Sequence, residues 1–447
     1  MNKIDIMFVI IAERDAQYYY NIACKLHDSG VCCGFIIFHE PALDVIGGDS
    51  RFISILPFKG VVVNDIQYYE KKYNIRYNDI VRHEYLTYLG NINKLKNKLS
   101  LYLGMLEDFF KKNTVSCIVQ ELGGHIGCLS VYECAVYHGI DNYFIEPSFF
   151  KNRVLFLKNT INPLCVDLVS NRSEYVDSYV KDYISNKFVS YSSKDSHHYN
   201  KAYKKIFLFR NWKAFVYKIF NIYIKNRHIE FNSIYSYVNK YIKFIVGSFI
   251  CNILGKYKNF EHVEGKKFVY FPLHVPEDFQ LTTRCPEMYD QYSLLLYLAS
   301  IMPNGVSLVT KEHPSMAGSF GCFKSRDILN SGLVLLSPYI NNYDIINKSE
   351  LIITINSKSG FEAVIQGKKV VTLGESFYSC FGLTENIAIQ DLRNKILSMV
   401  ERKHEVDSRL LYGFLNGIYV QSFPMSLYDN SELNINNSAK AIRSMVL

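Results

Sequence analysis

The stretch "LIITINSKSGFEAVIQGKKVVTLG", residues 351–374, decides how this chain is read. An apolar, β-branched run is followed by a polar turn, a segment with apolar residues at helical spacing, and a second apolar run. That order predicts strand, turn, helix, strand. Two strands joined through a helix run parallel, so the stretch implies a parallel sheet covered by helices. Asn356, Ser357, Ser359 and Gly360 fall where the helix begins. Unsatisfied backbone N–H groups and the positive end of the helix dipole gather there, and hydroxyl side chains add donors, so the turn suits a phosphate. Ordinary capping by Ser357 or Ser359 is the competing account. Two residues favour a ligand: Gly360 would let a phosphate approach the backbone, and Glu362 offers a carboxylate to ribose hydroxyls.

Working outward, the strand signal recurs in "KKFVYFPLH" (266–274), "GVSLVTKEHP" (305–314), "GLVLLSP" (332–338) and "SELIITIN" (349–356). Ends of parallel strands share one edge of the sheet, so His313 faces the same ligand as Ser357 and Ser359, with Lys311 and Glu312 beside it. A solvated loop is the plain alternative for "KEHP". Neither G-x-x-x-x-G-K-[ST] nor G-x-G-x-x-G occurs in the sequence, so this site does without the Walker lysine and the Rossmann glycines.

Strands also alternate with helices at the start of the chain. "IDIMFVIIA" (4–12), "VCCGFIIF" (31–38), "VSCIVQE" (115–121) and "DNYFIEP" (141–147) read as strands, with helices over 15–30, 66–112 and "CLSVYECAVYHG". Between about 166 and 260 strand patterns vanish and aromatic residues alternate with basic ones. The chain therefore divides into an α/β domain (1–165), a basic aromatic helical insertion or linker (166–262), a second α/β domain (263–400) and a helical tail (401–447). Two doubly wound parallel-sheet domains facing a cleft, with a helical insertion between them, are the expected architecture.

A 49% hydrophobic and 21% charged composition describes a globular chain. The net charge of +8 is concentrated: residues 194–229 hold one acid, Asp195, among many Lys, Arg and His. Such a tract suits an anionic partner, a membrane surface, a lipid-linked saccharide or a nucleic acid, although it lacks any recognised nucleic-acid module; a packed interdomain helix is the competing account. Eleven cysteines without C-x-x-C pairs argue against a disulfide framework and for reduced thiols in the cytoplasm. The seven-residue apolar run "IMFVIIA" meets Glu13 and Arg14 at once, so it reads as a strand and not as a signal peptide. No window offers ~18 uncharged apolar residues, so no transmembrane helix is expected.

"PLHVPED", "KEHP", "NSKSGFEA" and "GKKVVTLGESFYSCFGLT", in that order over residues 268–386, resemble the nucleotide-binding half of bacterial capsule and surface-polysaccharide glycosyltransferases. Those enzymes include transferases of Kdo (3-deoxy-manno-octulosonic acid). The His-Pro pair and the Ser-containing turn are shared with bacterial sialyltransferases, which also use CMP-sugars. The resemblance implies a GT-B-like fold with the nucleotide on the C-terminal domain, which makes the first domain the acceptor and catalytic half. His313 would contact the CMP phosphate or cytidine, and Ser357 and Ser359 the phosphate. Lys311, Glu312, Asn356, Gly360 and Glu362 would line the same pocket, and His274 and Glu277 would meet the donor or acceptor sugar.

The first domain must then supply the catalytic group. "VQELGGHIG" (119–127) carries Gln120, Glu121 and His125 in a glycine-rich turn, and "FIEPSFFKNR" (144–153) carries Glu146, Lys151 and Arg153. Glu121 or Glu146 would act as base toward an acceptor hydroxyl or as nucleophile, with Gln120, His125, Lys151 and Arg153 near a sugar. A structural carboxylate is the alternative for each, and Glu13 and Asp15 stand next in line. No metal is implied: His197 and His198 are neighbours, and no H-x-x-x-H or D-x-D motif is evident. No cofactor beyond the CMP-sugar donor is expected. The expected activity is transfer of a Kdo-like or sialic-like sugar from CMP to a bacterial surface glycan or lipid-linked saccharide, in the cytoplasm or peripheral at the inner membrane. The rivals are a UDP-sugar transferase or sugar 2-epimerase of the same architecture, and a non-catalytic capsule assembly protein.

Overall fold

The computed structural model describes residues 2–62, 64–88, 90–185, 208–230, 238–239, 242, 245–247, 249–250, 253, 257–318, 330–402 and 406–446. His197 and His198, and part of the basic aromatic tract, fall outside these residues. The chain forms two compact units, each assembled from more than one stretch. Met1–Ile161, Lys213–Ser236 and Gln421–Leu447 make the first, and Asn162–Trp212 with Tyr237–Val420 make the second.

The first unit opens with β1 (Asn2–Ile10), α1 (Glu13–His27), β2 (Cys33–Ile37) and β3 (Ile53–Ile55). Helices α2 (Ile66–Tyr73), α3 (Tyr77–Tyr88) and α4 (Ile92–Lys112) follow, then β4 (Asn113–Glu121), α5 (Ile126–His138), β5 (Asp141–Pro147) and β6 (Arg153–Lys158). These strands lie in the order β3-β2-β1-β4-β5-β6, parallel up to β5, with β6 antiparallel. Alternation along β1 shows why both faces are covered. Ile6, Phe8 and Ile10 pack with Tyr19 and Ile22 of α1, while Met7, Val9 and Ile11 pack with Leu103 and Leu106 of α4 and Leu129 of α5. Helix α4 buries Leu99, Tyr102, Leu103, Leu106 and Phe110, the stripe that a 3.6-residue period requires. The strands expected in this domain end at "DNYFIEP" (141–147), so β6 is an addition to them. "PSFFKN" is a tight connection, with Asn152 in the left-handed region (φ 57), that turns the chain back along β5.

The second unit contains α6 (Glu174–Ser185), the start of α7 (Phe209–Ile219), and β7 (Phe268–Pro272), α8 (Gln291–Ser300), β8 (Ser307–Lys311) and β9 (Val334–Leu336). It continues with α9 (Asn342–Lys348), β10 (Leu351–Thr354), α10 (Lys358–Ile365), β11 (Val370–Thr372), β12 (Glu385–Asn386), α11 (Ile389–Glu401) and α12 (Ser408–Gln421). Its sheet is wholly parallel in the order β9-β8-β7-β10-β11-β12. Both units thus carry the doubly wound order 3-2-1-4-5-6, whose direction reverses between the first and fourth strands. Cys165 and Cys380 form a disulfide within the second unit. The expectation of wholly reduced thiols is corrected at that pair, while Cys24, Cys32, Cys33, Cys117, Cys128, Cys134 and Cys285 are free.

After α12 the chain returns to the first unit. β13 (Phe423–Pro424) pairs antiparallel with β6, and α13 (Glu432–Val446) lies on α1, with the Tyr18 and Ser438 hydroxyls 2.9 Å apart. The stretch read as one tail therefore serves both units.

Helix α12 presents a bare backbone to residues 166–173. The Gly413 carbonyl accepts from the Val169 N–H at 3.0 Å, and Asn416 Oδ1 accepts from the Ser173 N–H at 3.1 Å. A Cβ on Gly417 would stand 2.0 Å from the Asp167 carbonyl oxygen, so only glycine permits this approach. Gly417→Ala is expected to cost about 1–3 kcal/mol, as overpacking does. Chemical denaturation should show a lower midpoint with unchanged far-UV dichroism; an unchanged midpoint would mean the segment is not held on α12.

Candidate functional site

In each unit polar side chains gather at the carboxyl edge, where the strand order reverses. In the second unit the ladder aligns Pro272 with Lys311 and Tyr270 with Ile352. His274, His313 and Asn356 each lie two residues past the end of their strand, β7, β8 and β10 (272 + 2, 311 + 2 and 354 + 2). The row sits on the crevice side of a doubly wound sheet.

His274 is buried, and its backbone N–H and carbonyl are both held by the Gln291 side chain, at 2.8 and 3.3 Å. Its Nε2 has no hydrogen-bond partner among the described residues. Burial lowers the ring from the usual histidine value, with Asp278 pulling the other way. Asn356 donates to Gln280 and to Cys285 Sγ, and its Oδ1 is also without a partner among the described residues. Ser357 is the N-cap of α10, yet its side chain does not cap the helix. Thr354 Oγ1 accepts the Ser357 N–H at 3.2 Å, and the Tyr378 hydroxyl donates to the Ser357 carbonyl. The turn is therefore fixed without the Ser357 hydroxyl, which is buried and unpartnered among the described residues. Leaving a buried polar atom unpaired costs about 1–3 kcal/mol, and three such atoms past the ends of two neighbouring strands are compatible with a polar ligand.

The other expected residues of this unit form the support. Asn342 Nδ2 donates to Ser359 Oγ at 3.1 Å and to Glu362 Oε2 at 3.0 Å, and the Tyr270 hydroxyl donates to Asn342 Oδ1 at 2.7 Å. Glu362 is buried in that network. Lys311 Nζ donates to the Ile340 carbonyl at 2.9 Å, and burial pushes its ammonium down to about 8 against the pull of Glu362. Glu312 is buried too, accepting from the Tyr257 hydroxyl and, at 2.9 Å, from the Gly318 N–H, so it holds the loop after β8. His313 and Glu277 are half-buried in the turns that follow β8 and β7. Gly360 has a different reason from the one its sequence offered. A Cβ there would meet the Tyr378 hydroxyl at 2.3 Å and Thr354 Cγ2 at 2.8 Å, so the missing side chain makes room for Tyr378.

In the first unit Glu121 ends β4, beside β1 at the reversal point, and Arg14 and Asp15 follow β1. The Glu121 carboxylate accepts from the Tyr428 hydroxyl, and Arg14 Nη2 lies 3.6 Å away. Arg14 also stacks on the Tyr428 ring at 4.3 Å. Asp15 is buried and accepts from the N–H groups of Ile11 and Ala12 at 3.1 and 2.9 Å. Burial raises the Glu121 carboxyl to about 7, Arg14 opposing and Asp15 adding to the rise. A carboxyl that titrates near neutrality is suited to give or take a proton.

Alternation removes several expected neighbours. Gln120 points to the opposite face from Glu121 and lies inside the core, donating to Asn142 Oδ1 at 2.7 Å and to the Cys128 carbonyl at 3.3 Å. His125 is buried edge-on to His83, and burial lowers its ring to about 3. Glu146 sits within the ladder opposite Leu155, one residue past the level of Glu121 and on the other face. Arg153 donates to the Ser422 hydroxyl at 2.7 Å and to the Ser422 carbonyl, which fastens β13. Lys151 is exposed at the β5–β6 turn. Tyr428 and Arg14, which do contact Glu121, carried no sequence signal of their own.

Two doubly wound units, each with polar groups at its reversal point, define an α/β protein of the doubly wound class. A family model described as "Capsule polysaccharide biosynthesis protein" matches residues 182–421, which is 240 of 447 residues (421 − 182 + 1). The chain belongs to that family, in line with the resemblance carried by residues 268–386. Protein FixF of Sinorhizobium fredii (strain NBRC 101917 / NGR234) is 33% identical over 119 residues, 25% of this chain and 27% of FixF. The chain thus spans about a quarter of the length of that curated relative. Among solved structures, the beta Kdo 2,7 transferase of KpsC from Thermosulfurimonas dismutans is 15% identical, with TM-score 0.37, covering 76% of this chain and 89% of that one. UDP-GlcNAc 2-epimerase from Neisseria meningitidis is 10% identical, with TM-score 0.31, covering 94% and 98%.

The Glu121 environment makes a pH prediction. Its folded value lies above the ordinary 4.5, so the folded chain holds a proton that the unfolded chain has released. Stability from this group therefore falls as pH rises from about 4.5 to about 7. Glu121→Gln should abolish that component of the pH–stability profile. Tyr428→Phe, which removes a donor to the carboxylate, should move it to higher pH. Denaturation midpoints across the window check both; identical profiles for all three proteins would contradict the assignment.

Proposed function

We propose that the chain is a glycosyltransferase that moves an acidic, Kdo-like or sialic-like sugar from a CMP donor to a bacterial surface glycan. The observation that carries the reading is the set of buried atoms without a partner among the described residues, His274 Nε2, Asn356 Oδ1 and Ser357 Oγ, at the reversal point of a doubly wound sheet. In this reading they take the polar edge and phosphate of the nucleotide, with His313 beside them. The start of α10 and the Lys311 ammonium offset phosphate charge without a metal. Two doubly wound units are the halves from which a GT-B fold is built.

Glu121 supplies the proton chemistry. At about 7 it is held near the pH at which a base is most effective. As carboxylate it accepts the proton of an attacking acceptor hydroxyl, and the Tyr428 hydroxyl and Arg14 hold it in place.

Thermal shift and turnover test the reading together. CMP should raise the melting midpoint and UDP should not; the reverse result replaces the donor with a UDP-sugar. Ser357→Ala and His274→Ala should each weaken CMP binding by roughly tenfold, the value of one hydrogen bond to a charged group. Glu121→Gln should keep the CMP shift while losing turnover. Absence of any donor turnover or donor hydrolysis by the wild type would leave a binding protein and end the enzyme reading.

A further inference from the structure

Helix α7 and the wider turn that extends it (Phe220–Ile224) carry an apolar stripe turned to solvent. Phe209, Trp212, Val216, Phe220, Tyr223 and Ile224 recur at helical spacing, and exposure reaches 53% at Trp212, 59% at Val216 and 71% at Ile224. The segment just after the stripe is anchored. Arg227 forks onto Asp44 at 2.6 and 2.7 Å, and the His228 N–H donates to Glu40 at 2.8 Å. The His228 ring stacks on Phe58, and buried Glu230 takes Lys98 at 2.9 Å and the Tyr102 hydroxyl at 2.6 Å. On the stripe's own helix Tyr217 donates to Glu13 at 3.3 Å. With these contacts made, the apolar stripe faces outward.

Charge indicates what covers it. Residues 196–260 contain twelve Lys and Arg and a single acid, Glu230, which is already paired. A separate observation in the second unit has the same character. Ile242, Val246, Phe249 and Ile253 fall at i, i+4, i+7 and i+11, are exposed from 48% at Val246 to 66% at Ile253, and have Lys240 just before them and Lys243 among them in sequence. Apolar stripes with cations and no free acid fit an interface where hydrocarbon lies under negative headgroups. Among the described residues no helix is long and apolar enough to cross a membrane.

We propose that the exposed face of α7 and its extension docks on the surface of an anionic phospholipid bilayer. Trp212 and Tyr223 sit at headgroup depth, Val216, Phe220 and Ile224 in the acyl boundary, and Lys213 and Lys225 against the headgroups.

Trp212 is the only tryptophan in the chain, so its fluorescence reports on this face directly. The full chain is mixed with vesicles of phosphatidylcholine alone or of phosphatidylcholine with phosphatidylglycerol. The anionic vesicles should shift the emission to the blue, brominated lipid should quench it, and added salt should weaken both. Lys213→Gln with Lys225→Gln should lower vesicle affinity more than tenfold, since each surface cation contributes about fivefold. Val216→Asp should abolish the shift while leaving the melting midpoint in place. A Trp212 emission indifferent to both vesicles overturns the proposal. So does a blue shift that grows with protein concentration without lipid, which would make the face a contact between copies. A melting midpoint lost in Val216→Asp would place the stripe in the core and overturn it as well.

Discussion

Backbone hydrogen bonds between neighbouring parallel strands, β1 with β4 and β7 with β10, set the level at which each chain leaves its sheet. All the polar groups of interest depend on that level. A slip of one residue would turn Glu121 toward the α5 face and exchange it with Gln120, placing an ionisable carboxyl in the core and an amide at the edge. The same slip between β7 and β10 would offset His274 from Asn356. Register is held by apolar alternation on two buried faces, so the chemistry at the edge rests on residues such as Phe8, Met7, Val269 and Ile353 that never reach it.

Two kinds of electrostatic cost are stored at these edges. At Glu121 the cost is a carboxyl that ionises late, because burial outweighs the help of Arg14. At His274, Asn356 and Ser357 it is hydrogen-bonding capacity left unused while the surrounding turn is fully tied by Gln291, Thr354 and Tyr378. Rigid scaffolding around unpaired atoms differs from a loose polar loop. The atoms stay aimed, and a ligand that pairs with them loses little in ordering the protein.

The alternation of strands and helices was legible in the sequence, because β-branched runs such as "IDIMFVIIA" and "LIITI" can pack only on a sheet covered on both faces. The edge residues after β8 and β10 were legible for the same reason. Other features lay beyond a linear reading. Tyr428 reaches Glu121 across 307 residues, and nothing in its local sequence marks it. Gln120 and Glu121 are adjacent letters with opposite surroundings, which only the register resolves. Gly360 looked like room for a phosphate, yet its space belongs to Tyr378, a residue 18 positions on (378 − 360). The Cys165–Cys380 bond joins two stretches whose meeting composition could not foretell.

The first unit is built from three separated stretches, the last beginning at Gln421. During synthesis from the amino end, its sheet must wait with β6 unpaired on its outer side while some 260 residues (421 − 161 = 260) are added. Domains usually fold as they emerge, whereas this one stays open at an edge until β13 and α13 arrive. Tyr428 arrives with them. The Glu121 carboxylate therefore acquires its hydroxyl partner only after every stretch of the second unit has been added.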